Sequence, residues 1–217
     1  MTGTLALLGG GEFAGDVELD RELLRRADTT DVLVLPTADA FEHPERLVEQ
    51  AAHWFATLGA TARGLDVLTR PDALAPPNVQ AVRDSRLTYL AGDSPMHLRS
   101  VLKATPLWDA LVAALDDGAV IAASGGSAMA VCDPMTDPRG GAFTLGLGLV
   151  RPLAVVPARE TWSPERLHRT RKLAEGFPVV EMVTGAAIVR DADGWQTFGE
   201  VEIHAKGGIA GVDALPG

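Results

Sequence analysis

Cysteine is almost absent from this chain: Cys132 is the only one in 217 residues. No disulfide can close within the chain, which fits a reducing compartment and makes the expected location cytoplasmic. Positive charge is also short. The formal net charge is −10 and the sequence pI about 4.9. Nucleic acid is excluded as a partner, because phosphate binding needs a basic face, and an anionic membrane surface is excluded for the same reason. No apolar run reaches the ~18–20 residues that a membrane span needs. The start, Met1–Leu8, lacks the basic region of a secretory signal. Neither the dinucleotide pattern GxGxxG nor the phosphate-loop pattern GxxxxGK[ST] occurs. No pair among the five histidines has metal-ligand spacing. Neither a cofactor nor a metal is expected.

What remains is ordinary globular material, 47% hydrophobic and 22% charged, enough to build a core. Short apolar runs alternate with amphipathic stretches, as in βαβ units that build a parallel sheet. Strands are expected at Thr4–Leu8, Asp31–Leu35, Ala62–Leu68, Leu87–Leu90 and Ala119–Ala122. Helices are expected at Leu19–Ala27, Pro44–Leu58, Pro95–Lys103, Pro106–Asp116 and from Ser127 to Val131, with Pro71–Pro77 a turn-rich connection. The later part is richer in strands: Leu153–Val156, Val179–Val183, Ala187–Arg190, Trp195–Phe198 and Val201–Ala205, with a helix at Pro164–Leu173. No repeat or linker interrupts residues 1–217, so one α/β domain is expected. Its form is a three-layer sandwich around a central, mainly parallel sheet.

Ligands of such sheets bind at the carboxyl ends of strands. Three predicted strand ends carry glycine turns there: Gly9–Gly11, Gly92-Asp93 and Ala123–Ser127. Glycine lets the backbone approach a ligand and aim N–H groups at it. The third turn follows a small-residue strand and opens a helix, the arrangement that exposes a nucleophilic serine in hydrolases.

The segments GGGE (Gly9–Glu12), LPTADAFEHP (Leu35–Pro44), YLAGDSPMHLRSVL (Tyr89–Leu102), AVIAASGGSAMAVCDPM (Ala119–Met135), DPRGGAFTLGLGLV (Asp137–Val150) and VVPARETWSPERLHR (Val155–Arg169) run in order through nearly the whole chain. In them the chain resembles the cyanophycinase and aspartyl dipeptidase family of serine peptidases. That resemblance implies a class I glutamine amidotransferase-like (flavodoxin-like) fold and a serine, histidine and acid at the site. This sequence departs from the pattern at each position. The family turn G-x-S-A-G-A aligns with Ala123–Ala128 and puts Gly125 at the nucleophile. Ala158 stands at the histidine, after Pro157. Thr184 stands at the acid, and the oxyanion Gly-Gly turn reads Gly92-Asp93.

Other residues could take over. Ser127 is two positions into the helix start, so its oxygen turns about 200° away at ~100° per residue. Ser124 reads as a turn residue, His168 as a replacement base or a helix-face residue, His97 as a structural or substrate-lining residue, and Cys132 as a buried inert thiol. Glu12, Asp93, Arg159 and Glu160 fall on segments bordering the implied site, where crowded carboxylates can have raised pKa values and do acid–base work. The residues expected to line a ligand pocket are Gly10, Gly11, Glu12, Gly92, Asp93, Gly126 and Arg159. The resulting expectation is a peptidase homologue without the triad, holding a small peptide or amino-acid-like ligand, or serving as a protein partner or homodimer subunit. The alternatives are a repurposed enzyme using Asp93, Glu160 or Glu12, and a residual hydrolase using Ser127.

Overall fold

A computed structural model describes residues 2–14, 17–206 and 208–217. Strands are β1 (Thr4–Leu8), β2 (Asp31–Leu35), β3 (Thr61–Gly64), β4 (Leu87–Leu90), β5 (Val120–Ser124), β6 (Met135–Thr136) and β7 (Phe143–Thr144). They continue as β8 (Ala154–Val156), β9 (Val179–Met182), β10 (Ala187–Asp191), β11 (Gly194–Phe198), β12 (Val201–Ala205) and β13 (Gly208–Ala210). The α-helices are α1 (Glu18–Ala27), α2 (Pro44–Thr57), α3 (Arg70–Leu74), α4 (Pro76–Arg83), α5 (Pro95–Leu102), α6 (Pro106–Asp116), α7 (Gly126–Val131) and α8 (Pro164–Leu173).

Seven strands form the central sheet in the order β11-β10-β1-β5-β4-β2-β3. The five from β1 to β3 are parallel, and β10 and β11 add an antiparallel edge. Side chains alternate across the pleat, so each strand feeds two cores. Leu5, Leu7, Leu33, Leu35 and Ile121 pack against Val79, Val82, Leu98 and Leu111 from α4–α6. Ala6, Leu8, Val32, Val34 and Tyr89 pack against Leu19, Leu23 and Phe55 from α1 and α2. Burial on both faces explains why these strands read as continuous apolar runs. The expected three-layer sandwich with a mainly parallel sheet is the observed fold.

Three details differ from expectation. The segment Pro71–Pro77 is not a connection but the start of two helices, α3 and α4. Prolines in a first helical turn need no N–H partner, so they open helices rather than break them. The predicted strand Ala62–Leu68 pairs with β2 only over Thr61–Gly64. The β-rich later part splits: β10 and β11 extend the main sheet, whereas β13-β12-β9-β8 form a second sheet. Among the described residues, no helix is long and apolar enough to cross a membrane.

Candidate active site

The register of the parallel strands brings the three glycine turns together. Leu8 lies opposite Ser124, and Leu90 opposite Ala123, so β1, β5 and β4 end side by side. Their turns border a cavity of about 330 Å³ whose walls include Gly10, Gly11, Asp93, Gly125, Gly126, Ala158 and Thr184. All three positions aligned with the serine, histidine and acid therefore face one pocket, although 59 residues separate the first from the last (184 − 125). Met129 and Trp162 supply apolar wall. No serine, cysteine or histidine is among the described residues lining it.

Gly125 has φ 57° and ψ −125°, a left-handed conformation that glycine adopts without a Cβ clash. A Cβ built there would lie 2.3 Å from Asp93 Oδ1. The same oxygen accepts the Gly126 N–H at 3.2 Å. In a serine-hydrolase elbow, the amide after the nucleophile is an oxyanion donor. Asp93 thus fills the space of a side chain at 125 and engages the amide that follows it. Position 126 is closed too, since a Cβ there would sit 2.5 Å from the Asp93 carbonyl carbon.

Glu12 does not face this pocket. Its carboxylate accepts from the Gly92 N–H at 3.1 Å and from Ser124 Oγ at 2.6 Å, tying the first turn to the ends of β4 and β5. Ser127 is fully buried; its amide donates to the Gly92 carbonyl at 3.1 Å and its hydroxyl at 3.4 Å. Neither Ser124 nor Ser127 is among the pocket-lining residues.

Ala158 is left-handed at φ 45° and ψ 48°, and donates its N–H to the Gly9 carbonyl at 2.8 Å. Thr184 donates its hydroxyl to Glu160 Oε1 at 2.5 Å and its amide to the same carboxylate. Desolvation pushes Glu160 up, but these hydrogen bonds outweigh it and hold the carboxyl below its ordinary range. The expected raised pKa is therefore not found at Glu160. Arg159 is not on the pocket wall either: it pairs with Glu200 at 2.5 Å and Glu202 at 2.6 Å. His97 bonds the Leu68 carbonyl at 2.8 Å and stacks edge-on against Phe41, while His168 lines a separate cleft by α8. Cys132 is fully buried, which pushes its thiol up and makes it inert.

The structure also gathers a group that local sequence spacing hides. Glu181 on β9 lies opposite Glu202 on β12, and His204 is two residues farther on. Their ligand atoms lie within 4.8 Å of one another. Arg171 grips both Glu181 oxygens at 2.6 Å, and Arg159 holds Glu202 at 2.6 Å. The carboxylates are already neutralised, so the group serves as an ion-pair network fastening α8 to the second sheet.

Residues 5–197 match the model of Peptidase family S51. The chain belongs to peptidase family S51. Its structure is similar to that of a peptidase from an acI-B1 Actinobacterium, with TM-score 0.86 and 25% identity over 97% of this chain and 93% of the other. It shares its fold with a putative peptidase E protein from Listeria monocytogenes EGD-e, at TM-score 0.70 and 18% identity over 91% and 98% of the two chains. No curated protein matches the chain.

Proposed function

We propose that this S51 family member has given up serine hydrolysis and uses the pocket to hold a small peptide or amino-acid-like ligand. The observation that carries the reading is the place of Asp93, whose Oδ1 lies 2.3 Å from where a side chain at 125 would begin. A serine mechanism needs a nucleophile, a base within hydrogen-bond reach and a donor for the oxyanion. Gly125 supplies no nucleophile and Ala158 no base. Asp93 brings negative charge to the place where such charge should be stabilised. A carboxylate in a small, partly apolar pocket suits a protonated amine, the group that every free amino acid and peptide N-terminus carries.

The same carboxylate is the acid or base a repurposed enzyme would use, and Asp93 is favoured over Glu12 and Glu160 because it alone of the three lines the pocket. Two measurements test the binding reading. A fluorophosphonate probe should leave the protein unlabelled, and labelling at Ser127 would sink the proposal. Dipeptides with a free amino terminus should raise the melting temperature of the wild type, equivalent to about 2.7 kcal/mol at a hundredfold excess over Kd. That shift should disappear in Asp93→Asn. Turnover of a dipeptide, or no stabilisation by any of them, would count against the reading.

A further inference from the structure

Between α8 and the strands β12 and β13 lies a cleft of about 530 Å³, lined by His168, Arg171, Lys172, His204, Lys206 and Ile209. It shares no lining residue with the pocket of Asp93. Every ionisable side chain among its described lining residues is basic, in a chain whose net charge is −10. Two of them are anchored: Arg171 gives Nε and Nη2 to Glu181 at 2.6 Å, and His204 Nε2 lies 3.3 Å from Glu202. The others are not. His168, Lys172 and Lys206 are exposed, and their side chains have no hydrogen-bond or ion-pair partner among the described residues.

A concave wall of one charge sign focuses its field and raises the local concentration of counter-ions. Two unpaired lysines beside an anchored guanidinium are more charge than one carboxylate would neutralise. A phosphate monoester carries close to two negative charges near pH 7, with three strong acceptor oxygens. The acidity of the chain as a whole disfavours a long polyanion, so the ligand is small. The wall also has an apolar part, where Ile209 is 76% exposed beside Ala174, Ala205 and Gly208. That surface suits a carbon body rather than a bare ion, and the volume lies within the roughly 300–1,000 Å³ of small-molecule sites. We propose that this cleft binds a small organic phosphate, with the phosphate on Lys172, Lys206 and Arg171 and the carbon body on Ile209.

The probe is phenyl phosphate, titrated into the full chain and followed by isothermal calorimetry and melting temperature. Inorganic phosphate, benzoate and phenol are the controls, with sodium chloride added to equal ionic strength. Phenyl phosphate should bind saturably, inorganic phosphate and benzoate more weakly, and phenol not at all. Lys172→Gln and Lys206→Gln change exposed side chains, so both variants should keep the fold. Each should weaken phenyl phosphate about fivefold, the upper end for an exposed ion pair, and the double variant should lose saturable binding. Ile209→Ser should weaken phenyl phosphate and leave inorganic phosphate unchanged. The proposal is overturned if phenyl phosphate does not bind, if sodium chloride alone gives the same rise in melting temperature, or if the double lysine variant binds as the wild type does. Equal affinity for benzoate overturns the phosphate, and equal affinity for inorganic phosphate overturns the organic body.

Discussion

A carboxylate held in an apolar interior favours its protonated form, and Asp20 shows what that does to a single residue. Desolvation is the largest influence on it, the Trp54 hydrogen bond opposes this, and the nearby Glu12 charge adds to it; the net effect raises the pKa from 3.8 to about 6. The folded state therefore holds this proton more tightly than the unfolded chain does. The group's contribution to stability is fully present below pH 3.8 and is lost as pH rises through about 6. Above that, the charged side chain costs about 1–3 kcal/mol. Asp20→Asn, whose amide oxygen can still accept from Trp54, should be more stable than the wild type by that amount at pH 7.5. The difference should close below pH 4, as urea melts at the two pH values would show. Equal stability at pH 7.5 would contradict the assignment. Nothing in the sequence singled out Asp20, since it reads as a first-turn helix acid. Its burial depends on α1 crossing β4, which no local spacing encodes. Gly125, Ala158 and Thr184 were legible because ordered segments flank each of them, and all three do reach one pocket.

At the level of elements, periodicity located the parallel strands well because both faces are buried and each reads as an apolar run. It failed where pairing is non-local. β12 joins β9 across an intervening excursion of β10 and β11 into the main sheet, and alternating residues cannot report which sheet a strand will enter. The cross-strand pair Glu181–Glu202 marks that junction, two like charges directly opposite that would repel without Arg171 and Arg159. Glu181 is fully buried, so removing its partner leaves an uncompensated charge. Arg171 is itself 38% exposed, which lowers the expected loss through solvent screening. Arg171→Met should therefore cost about 1–3 kcal/mol in guanidinium unfolding, below the usual range for a wholly buried pair. Adding Glu181→Gln should recover part of it. Full additivity of the two changes would mean that the pair is not coupled.

For the whole molecule, the proposed loss of serine hydrolysis predicts that several side-chain changes together, and none alone, would give a working serine site. The sheet still places β1, β4 and β5 side by side, Gly125 keeps a left-handed elbow, and Ala158 keeps a left-handed turn on the opposite wall. The scaffold of the turns is thus in place, and on the proposed reading the obstacle lies in the side chains around them. Gly125→Ser alone drives a Cβ against Asp93 Oδ1 and adds a side chain at φ 57°. It should lose about 1–3 kcal/mol of stability and remain unlabelled by a fluorophosphonate. Asp93→Gly in the same chain removes the clash and frees the Gly126 amide, which should restore part of that stability while the strain of a side chain at φ 57° remains. Labelling should still be absent, since a serine without a base is weakly nucleophilic. Triad members act as a unit, so the effect of restoring them is not additive. Labelling should first appear when Ala158→His joins Gly125→Ser and Asp93→Gly, a left-handed position that histidine tolerates better than most residues. Labelling of Gly125→Ser while Asp93 remains would make Asp93 a bystander and contradict the role proposed for its carboxylate.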